Sequence, residues 1–212
     1  MAAPIFKDIP NLEGIWSLVS SETRQYTGLQ FMKKKNRKLS NDPDEMFELQ
    51  GVPWVVRKAL KYASLSLNIS QTTSIPDLSE KHADDVGGNK TPVTTLHVKQ
   101  TVSPGNFDSE GSYSVNGEAK EYSLPIFGNV SIQLRYMDAM EISDEVLQQK
   151  LFEDSSSKTV IDELAQNSTK GWNVRVIWGF EVIDGRRYLT RNVVTSKNEK
   201  SVNVRMVYDF HG

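Results

Sequence analysis

The chain has 212 residues, a formal net charge of −2 and no cysteine. That length suits a single domain over residues 1–212 with a sizeable core. The near-balanced charge gives no bias toward nucleic acid or an anionic membrane, and the lack of thiols excludes disulfides, zinc–thiolate sites and cysteine nucleophiles.

The opening segment MAAPIFKDIPNLEG lacks the apolar core of a secretory signal, and no stretch is long and apolar enough to span a bilayer. The expectation is a soluble, cytoplasmic protein without membrane insertion. Residues 14–20 (GIWSLVS) read as a first strand. Residues 22–44 are polar and include the basic run from Lys33 to Lys38, which no aromatic residue interleaves, so it reads as a solvated loop. Residues 43–62 read as helical in their second half, because Pro53 fits a helix start and would interrupt a helix arriving from Asp44. Val52, Val56, Ala59, Leu60 and Ala63 then share a stripe.

Residues 65–71 (LSLNISQ) alternate and predict a strand, followed by a long polar loop over 72–90. Residues 93–102 predict another strand, with Leu96, Val98 and Gln100 on one face and His97 on the other. Asn116-Gly117 marks a tight hairpin that places Tyr113 and Val115 on one face with Tyr122 and Leu124. Val130, Ile132, Leu134 and Tyr136 line the inner face of the next strand. A short helix is expected over 144–154, then a polar loop to Lys170.

The last forty or so residues carry the strongest pattern. Asp184-Gly185 is a two-residue turn that sets Ile183 opposite Arg186 and Trp178 opposite Arg191. A second turn near Asn198-Glu199 sets Arg191 opposite Met206. One face of these strands then holds Val174, Val176, Trp178, Phe180, Leu189, Val193, Val202, Val204, Met206, Tyr208, Phe210 and, among them, Arg191. The other face is polar. A guanidinium on an apolar face is costly unless it is paired or reaches a wet cavity. Either the interior is hollow or Arg191 has a buried partner.

About eight antiparallel strands in successive hairpins, with few helices, point to an up-and-down barrel, since closure removes the sheet edges. A barrel of this size can hold one small ligand. No nucleotide-binding loop, nucleophile elbow or metal-ligand spacing is present, and His82, His97 and His211 are scattered. The candidates that remain are inward polar and aromatic groups: Arg191, with Gln71, Gln100, Tyr113, Tyr122, Tyr136, Trp178, Met206 and Tyr208. Trp54 joins them if its helix caps the barrel mouth.

Gly14, Ile15 and Trp16 resemble the Gly-x-Trp opening of lipocalins and their calycin relatives, in which the tryptophan plugs the closed end of the barrel. The chain lacks the Thr-Asp-Tyr motif and the disulfide of secreted lipocalins. The blocks QGVPWVVRKAL (50–60), IWGFE (177–181), DGRRY (184–188) and VYD (207–209) resemble a family of small fungal lipocalin-like barrel proteins of secondary-metabolite pathways. That family includes hetero-Diels–Alderases of tropolone–sesquiterpenoid biosynthesis. The resemblance implies a mainly β, lipocalin-like barrel with a capping helix and a short second helix. It also implies a small-molecule cyclase, here a cofactor-independent pericyclase that joins a quinone methide to a terpene alkene. Arg191 would be the hydrogen-bond donor, and the other candidates would bind hydrophobic aromatic or terpenoid substrates. No metal is expected. A non-catalytic carrier of a hydrophobic metabolite and an isomerase or hydratase in the same barrel are the alternatives. The sequence leaves a homodimer open.

Overall fold

Two turns fix the register of the last three strands. In the computed structural model, which describes residues 2–19, 39–75, 92–105, 107–153 and 158–212, Asp184 and Gly185 both take positive φ (52° and 73°). This mirror-image turn matches the right-handed twist of the strands it joins. It pairs β8 (Trp172–Ile183) with β9 (Arg186–Lys197), setting Trp178 against Arg191. Asn198, at φ 54°, turns the chain into β10 (Lys200–Phe210), where Met206 faces Arg191. Both pairings are the ones the sequence predicts.

The remaining strands are β1 (Gly14–Leu18), β2 (Ser64–Ser74), β3 (Val93–Ser103), β4 (Ser109–Ser114), β5 (Lys120–Leu124), β6 (Gly128–Asp138) and β7 (Thr159–Asn167). They form a ten-stranded antiparallel sheet in the order β4-β3-β2-β1-β10-β9-β8-β7-β6-β5. Apart from β4 and β5, neighbours in the chain are neighbours in the sheet, and β1 pairs with β10, which curls the meander into a nearly closed barrel. Among the described residues no ladder joins β4 to β5. The expected hairpin at Asn116-Gly117 is therefore a turn without paired strands: Gly117 N–H donates to the Leu134 carbonyl instead. Side chains span the seam. The rings of Tyr113 and Tyr122 lie 4.9 Å apart, and the Tyr122 hydroxyl donates to the Ser112 carbonyl at 2.9 Å.

The closed end is built by the N-terminal segment. Ile9, Leu12 and Trp16 have no exposed surface. The Trp16 indole N–H donates to the Leu12 carbonyl at 2.8 Å, and its ring meets Phe210 at 4.8 Å and Phe180 at 5.9 Å. Outside this layer the Arg187 guanidinium stacks 3.8 Å from the Phe180 ring centroid.

At the other end, α1 (Asp44–Leu49) and α2 (Trp54–Tyr62) are separated by Gly51, at φ 73°, and by Pro53. The cap is α1, not the helix bearing Trp54. Met46 of α1 is buried in the barrel core with Phe47 packed against it, whereas α2 has no buried residue. Of the expected stripe, Val52 is buried but precedes α2, Val56, Leu60 and Ala63 are half-buried and Ala59 is exposed. The chain reaches α1 along the edge of β10 that β1 leaves free beyond Leu18. Asn41 N–H donates to the Arg205 carbonyl, Arg205 N–H to Asn41 Oδ1, and Val207 N–H to Ser40 Oγ. This strap and the neighbouring strands bury part of the face expected to be polar and solvated. Glu181 is enclosed there and takes hydrogen bonds from Asn192 and Arg205.

The largest departure from expectation is β7. Residues 159–167 read as part of a polar loop but form a central strand between β6 and β8. Both its faces are covered, so its sequence does not alternate. Val160 and Ile161 are both buried, the first under α3 (Glu145–Phe152) and the second in the barrel. Asp162 points outward yet is only 2% exposed, because Arg135 and Arg175 clasp it at 2.9 and 2.8 Å. Gly179 of β8 leaves the room that Leu151 of α3 fills; a Cβ there would collide with the leucine methyl. The expected short helix is α3. Most of the expected 72–90 loop, the 33–38 basic run and His82 lie outside the described residues. Among the described residues no helix is long and apolar enough to cross a membrane.

Candidate functional site

The barrel is hollow between the Trp16 layer and α1. The cavity holds about 220 Å³ and is walled mainly by apolar side chains of the strands, with Met46, Phe47 and Gln50 above. Of the sequence-predicted residues, Arg191, Gln100, Tyr113, Trp178, Met206 and Tyr208 line it.

Glu163 organises the polar wall. β7 sends it inward, beside Trp178 of β8 and within reach of Arg191 of β9. One carboxylate oxygen accepts from the Trp178 indole N–H at 2.7 Å and from Arg191 Nη2 at 3.0 Å. The guanidinium carbon also lies 4.2 Å from the centroid of the Trp178 ring, a cation–π contact on the same side chain. The two readings of Arg191 are thus both realised: the interior is hollow and the cation has a buried partner. Its side chain and that of Glu163 keep 17% and 13% exposure, while Val176 and Val193 beside them are buried. Arg191 Nε is buried and has no hydrogen-bond partner. A fixed, charged group is therefore held at the wall of an apolar void, with its Nε–H closed off from open space.

The electrostatics keep this donor charged. Burial alone would lower the Arg191 pKa, but the Glu163 carboxylate, helped by Tyr208, raises it above the ordinary value. Burial pushes the Tyr208 phenol up, against a smaller opposing pull from Arg191. Tyr113 is raised by burial first and by Glu163 second. Both phenols are thus neutral hydroxyls at physiological pH. The Tyr208 hydroxyl lies within hydrogen-bonding reach of Arg191 and makes a long contact, 3.8 Å, to the Met206 sulfur.

The other expected residues lie elsewhere. Trp54 is 62% exposed on α2, with Lys58 over its ring, so it does not reach the cavity. Gln71 sits toward the closed end, where its side-chain oxygen accepts the Leu12 N–H and ties the N-terminal plug to β2. Tyr136 is half-buried with Thr94 and Gln71 beside its hydroxyl. Tyr122 belongs to the seam and does not line the void. His97 points outward, as expected, between Ser112 and Thr72. Among the described residues no cluster of His, Asp or Glu could hold a metal ion.

Sequence reasoning missed Glu163 because it missed β7. Once residues 159–167 are a strand, Ile161, Glu163 and Ala165 share one face, but the buried Val160 and Asp162 on the other face break the alternation that would have announced it. Gln50 and the aromatic pair Phe127 and Trp172 at the capped end were also missed.

No family model matches the chain. It is 30% identical over 181 residues to the probable pericyclase scpY of Mollisia scopiformis, a match that covers 84% of this chain and 86% of that protein. It is 24% identical over 176 residues to the pericyclase pydY of an Acremonium species, covering 82% and 86% respectively. Among solved structures it is similar to the fluorescent protein UnaG, at 12% identity and a TM-score of 0.50 over 94% of this chain and 97% of that one, a likeness of fold alone. The chain belongs to the family of lipocalin-like β-barrel proteins that includes the probable pericyclase scpY.

Proposed function

We propose that this protein is a cofactor-independent pericyclase whose cavity brings two hydrophobic partners together, an aromatic quinone methide and a terpene alkene, for an intermolecular hetero-Diels–Alder reaction. A concerted cycloaddition needs no nucleophile and no proton transfer. Holding both partners in near-attack geometry can lower the barrier by up to about 7–11 kcal/mol at the favourable limit. A hydrogen bond to the carbonyl oxygen of the heterodiene lowers its acceptor orbital and stabilises the charge that builds there, worth about 3–4 kcal/mol for a well-placed donor in a water-poor site. Arg191 is that donor. Glu163 and Trp178 fix its plane, and Tyr208 and Tyr113 stand beside the oxygen or stack on the planar ring. The observation that carries this reading is the charged Arg191 guanidinium, clamped by Glu163 and Trp178 on the wall of an apolar cavity. The names of the two relatives support it.

The cavity's mainly apolar wall also suits a carrier of a hydrophobic metabolite. A carrier of a hydrocarbon, however, has no use for a directed cation held by a buried carboxylate. An isomerase or hydratase would lean on tyrosine for acid–base work, and burial makes both cavity phenols weaker acids. The test is incubation of the purified protein with a quinone-methide precursor and a terpene alkene. A pericyclase gives one stereoisomer faster than the uncatalysed background. A carrier binds one partner and leaves rate and stereochemistry at background.

A further inference from the structure

A second polar spot lies at the capped end of the cavity, and the mechanism above does not use it. Gln50 follows α1 and lines the cavity, only 6% exposed. Its amide makes one contact, from Nε2 to Thr195 Oγ at 3.4 Å, and its oxygen is buried without a partner. With the amide turned over, the nitrogen would be the group left unpartnered, so one polar atom is unsatisfied either way. Trp172 lines the same end, only 3% exposed, and its indole N–H also lacks a partner. The ring of Phe127 meets Trp172 at 6.2 Å and Phe47 at 6.4 Å, so aromatic side chains gather around these polar groups. Both atoms are closed off from open space, and buried polar atoms without partners are costly, so a bound molecule that draws these two side chains toward the void completes them at this end of the cavity.

The chemistry selects the group. Trp172 can only donate, and Gln50 offers an acceptor in one amide orientation and a donor in the other. A hydroxyl both accepts and donates, so it satisfies both residues in the first orientation and remains compatible with the second. Thr195 and Arg191 are on the same strand and the same face, four residues apart, so their backbone positions lie ~13 Å from each other along β9, which sets the scale of the separation between the two polar spots. We infer that Gln50 and Trp172 form a hydroxyl-reading subsite, so that the substrate set carries an alcohol or phenol group about one cavity length from the oxygen that meets Arg191. This rests on the proposed function for the role of the cavity, and it sets which substrates are accepted.

Equilibrium binding tests it without any turnover. Isothermal titration calorimetry would compare 12-hydroxydodecan-2-one, whose extended chain spans roughly the inferred distance, with dodecan-2-one, which lacks the hydroxyl. The hydroxy ketone should bind about five- to tenfold more tightly to the wild type. Gln50→Leu should abolish that preference while leaving the affinity for dodecan-2-one within about twofold. Trp172→Phe, which keeps the aromatic packing, should do the same, and it carries the test if Gln50→Leu unseats α1. Equal affinities for the two ketones, or a preference that survives both substitutions, would overturn the subsite and leave the proposed function standing. Equal affinities would also mean that water alone serves these atoms. Binding of neither ketone would remove the cavity as a ligand site and overturn both.

Discussion

Glu163 and Arg191 should behave as a unit in stability. Replacing Glu163 by leucine leaves a charged guanidinium on an apolar wall and deprives the Trp178 N–H of its acceptor. Breaking a buried ion pair from one side costs about 3–5 kcal/mol, and the partial access of this pair to the cavity places it at the lower end, about 3 kcal/mol. Replacing both residues, Glu163→Leu with Arg191→Leu, removes both charges. What remains is the unpaired indole N–H, worth about 1–2 kcal/mol, partly offset by new apolar packing. The double variant should therefore be more stable than Glu163→Leu alone by about 2 kcal/mol. Urea unfolding followed by far-ultraviolet circular dichroism reads this directly. With a slope near 3 kcal/mol per molar, Glu163→Leu should lower the midpoint by about 1 M, and the double variant should recover more than half of that. A single variant that unfolds at the wild-type midpoint would refute the buried pair. A double variant less stable than Glu163→Leu would refute its electrostatic origin.

Two further outcomes follow from the geometry. Arg175 and Arg135 hold the Asp162 pKa below its ordinary value of 3.8, outweighing the burial that pushes it up. A carboxyl depressed in the folded state stabilises above its unfolded pKa, and this contribution is lost as pH falls through the folded value. Asp162→Asn should therefore be less stable than wild type at neutral pH, with the gap closing below about pH 3.8; thermal melts from pH 7 to pH 2.5 check it, and a gap independent of pH would contradict the assignment. Trp54→Ala should change stability by no more than about 0.5 kcal/mol and leave ligand affinity in the cavity unchanged, since the side chain lies outside on α2. A marked loss of affinity in a calorimetric titration would return that helix to the mouth.

What the sequence made legible depended on how cleanly each strand has one wet and one dry face. β8, β9 and β10 alternate, and their turns demand positive φ at Asp184, Gly185 and Asn198, so the register around Arg191 could be written from the residues alone. β7 does not alternate, because α3 covers one side of it and two arginines enclose Asp162, and with it went the partner of Arg191. The seam between β4 and β5 was illegible for a different reason. Asn116-Gly117 encodes a local turn, whereas the failure of the flanking strands to pair is set by how the barrel closes. Trp54 misled because a proline-started helix signals its own beginning but not which side of it faces the barrel. The preceding short helix, with Met46 and Phe47, took the capping position.

The central claim is that the Arg191 donor accelerates ring formation. Its most direct test is the single-turnover rate of cycloaddition in the Glu163→Leu/Arg191→Leu double variant, in which the donor is gone and most of the stability is restored. The account predicts a rate lower than wild type by about 10²–10³ yet still above the uncatalysed background, because the cavity continues to align the partners, in a protein that remains folded and still binds the terpene alkene. A folded double variant that forms the product at the wild-type rate would contradict it.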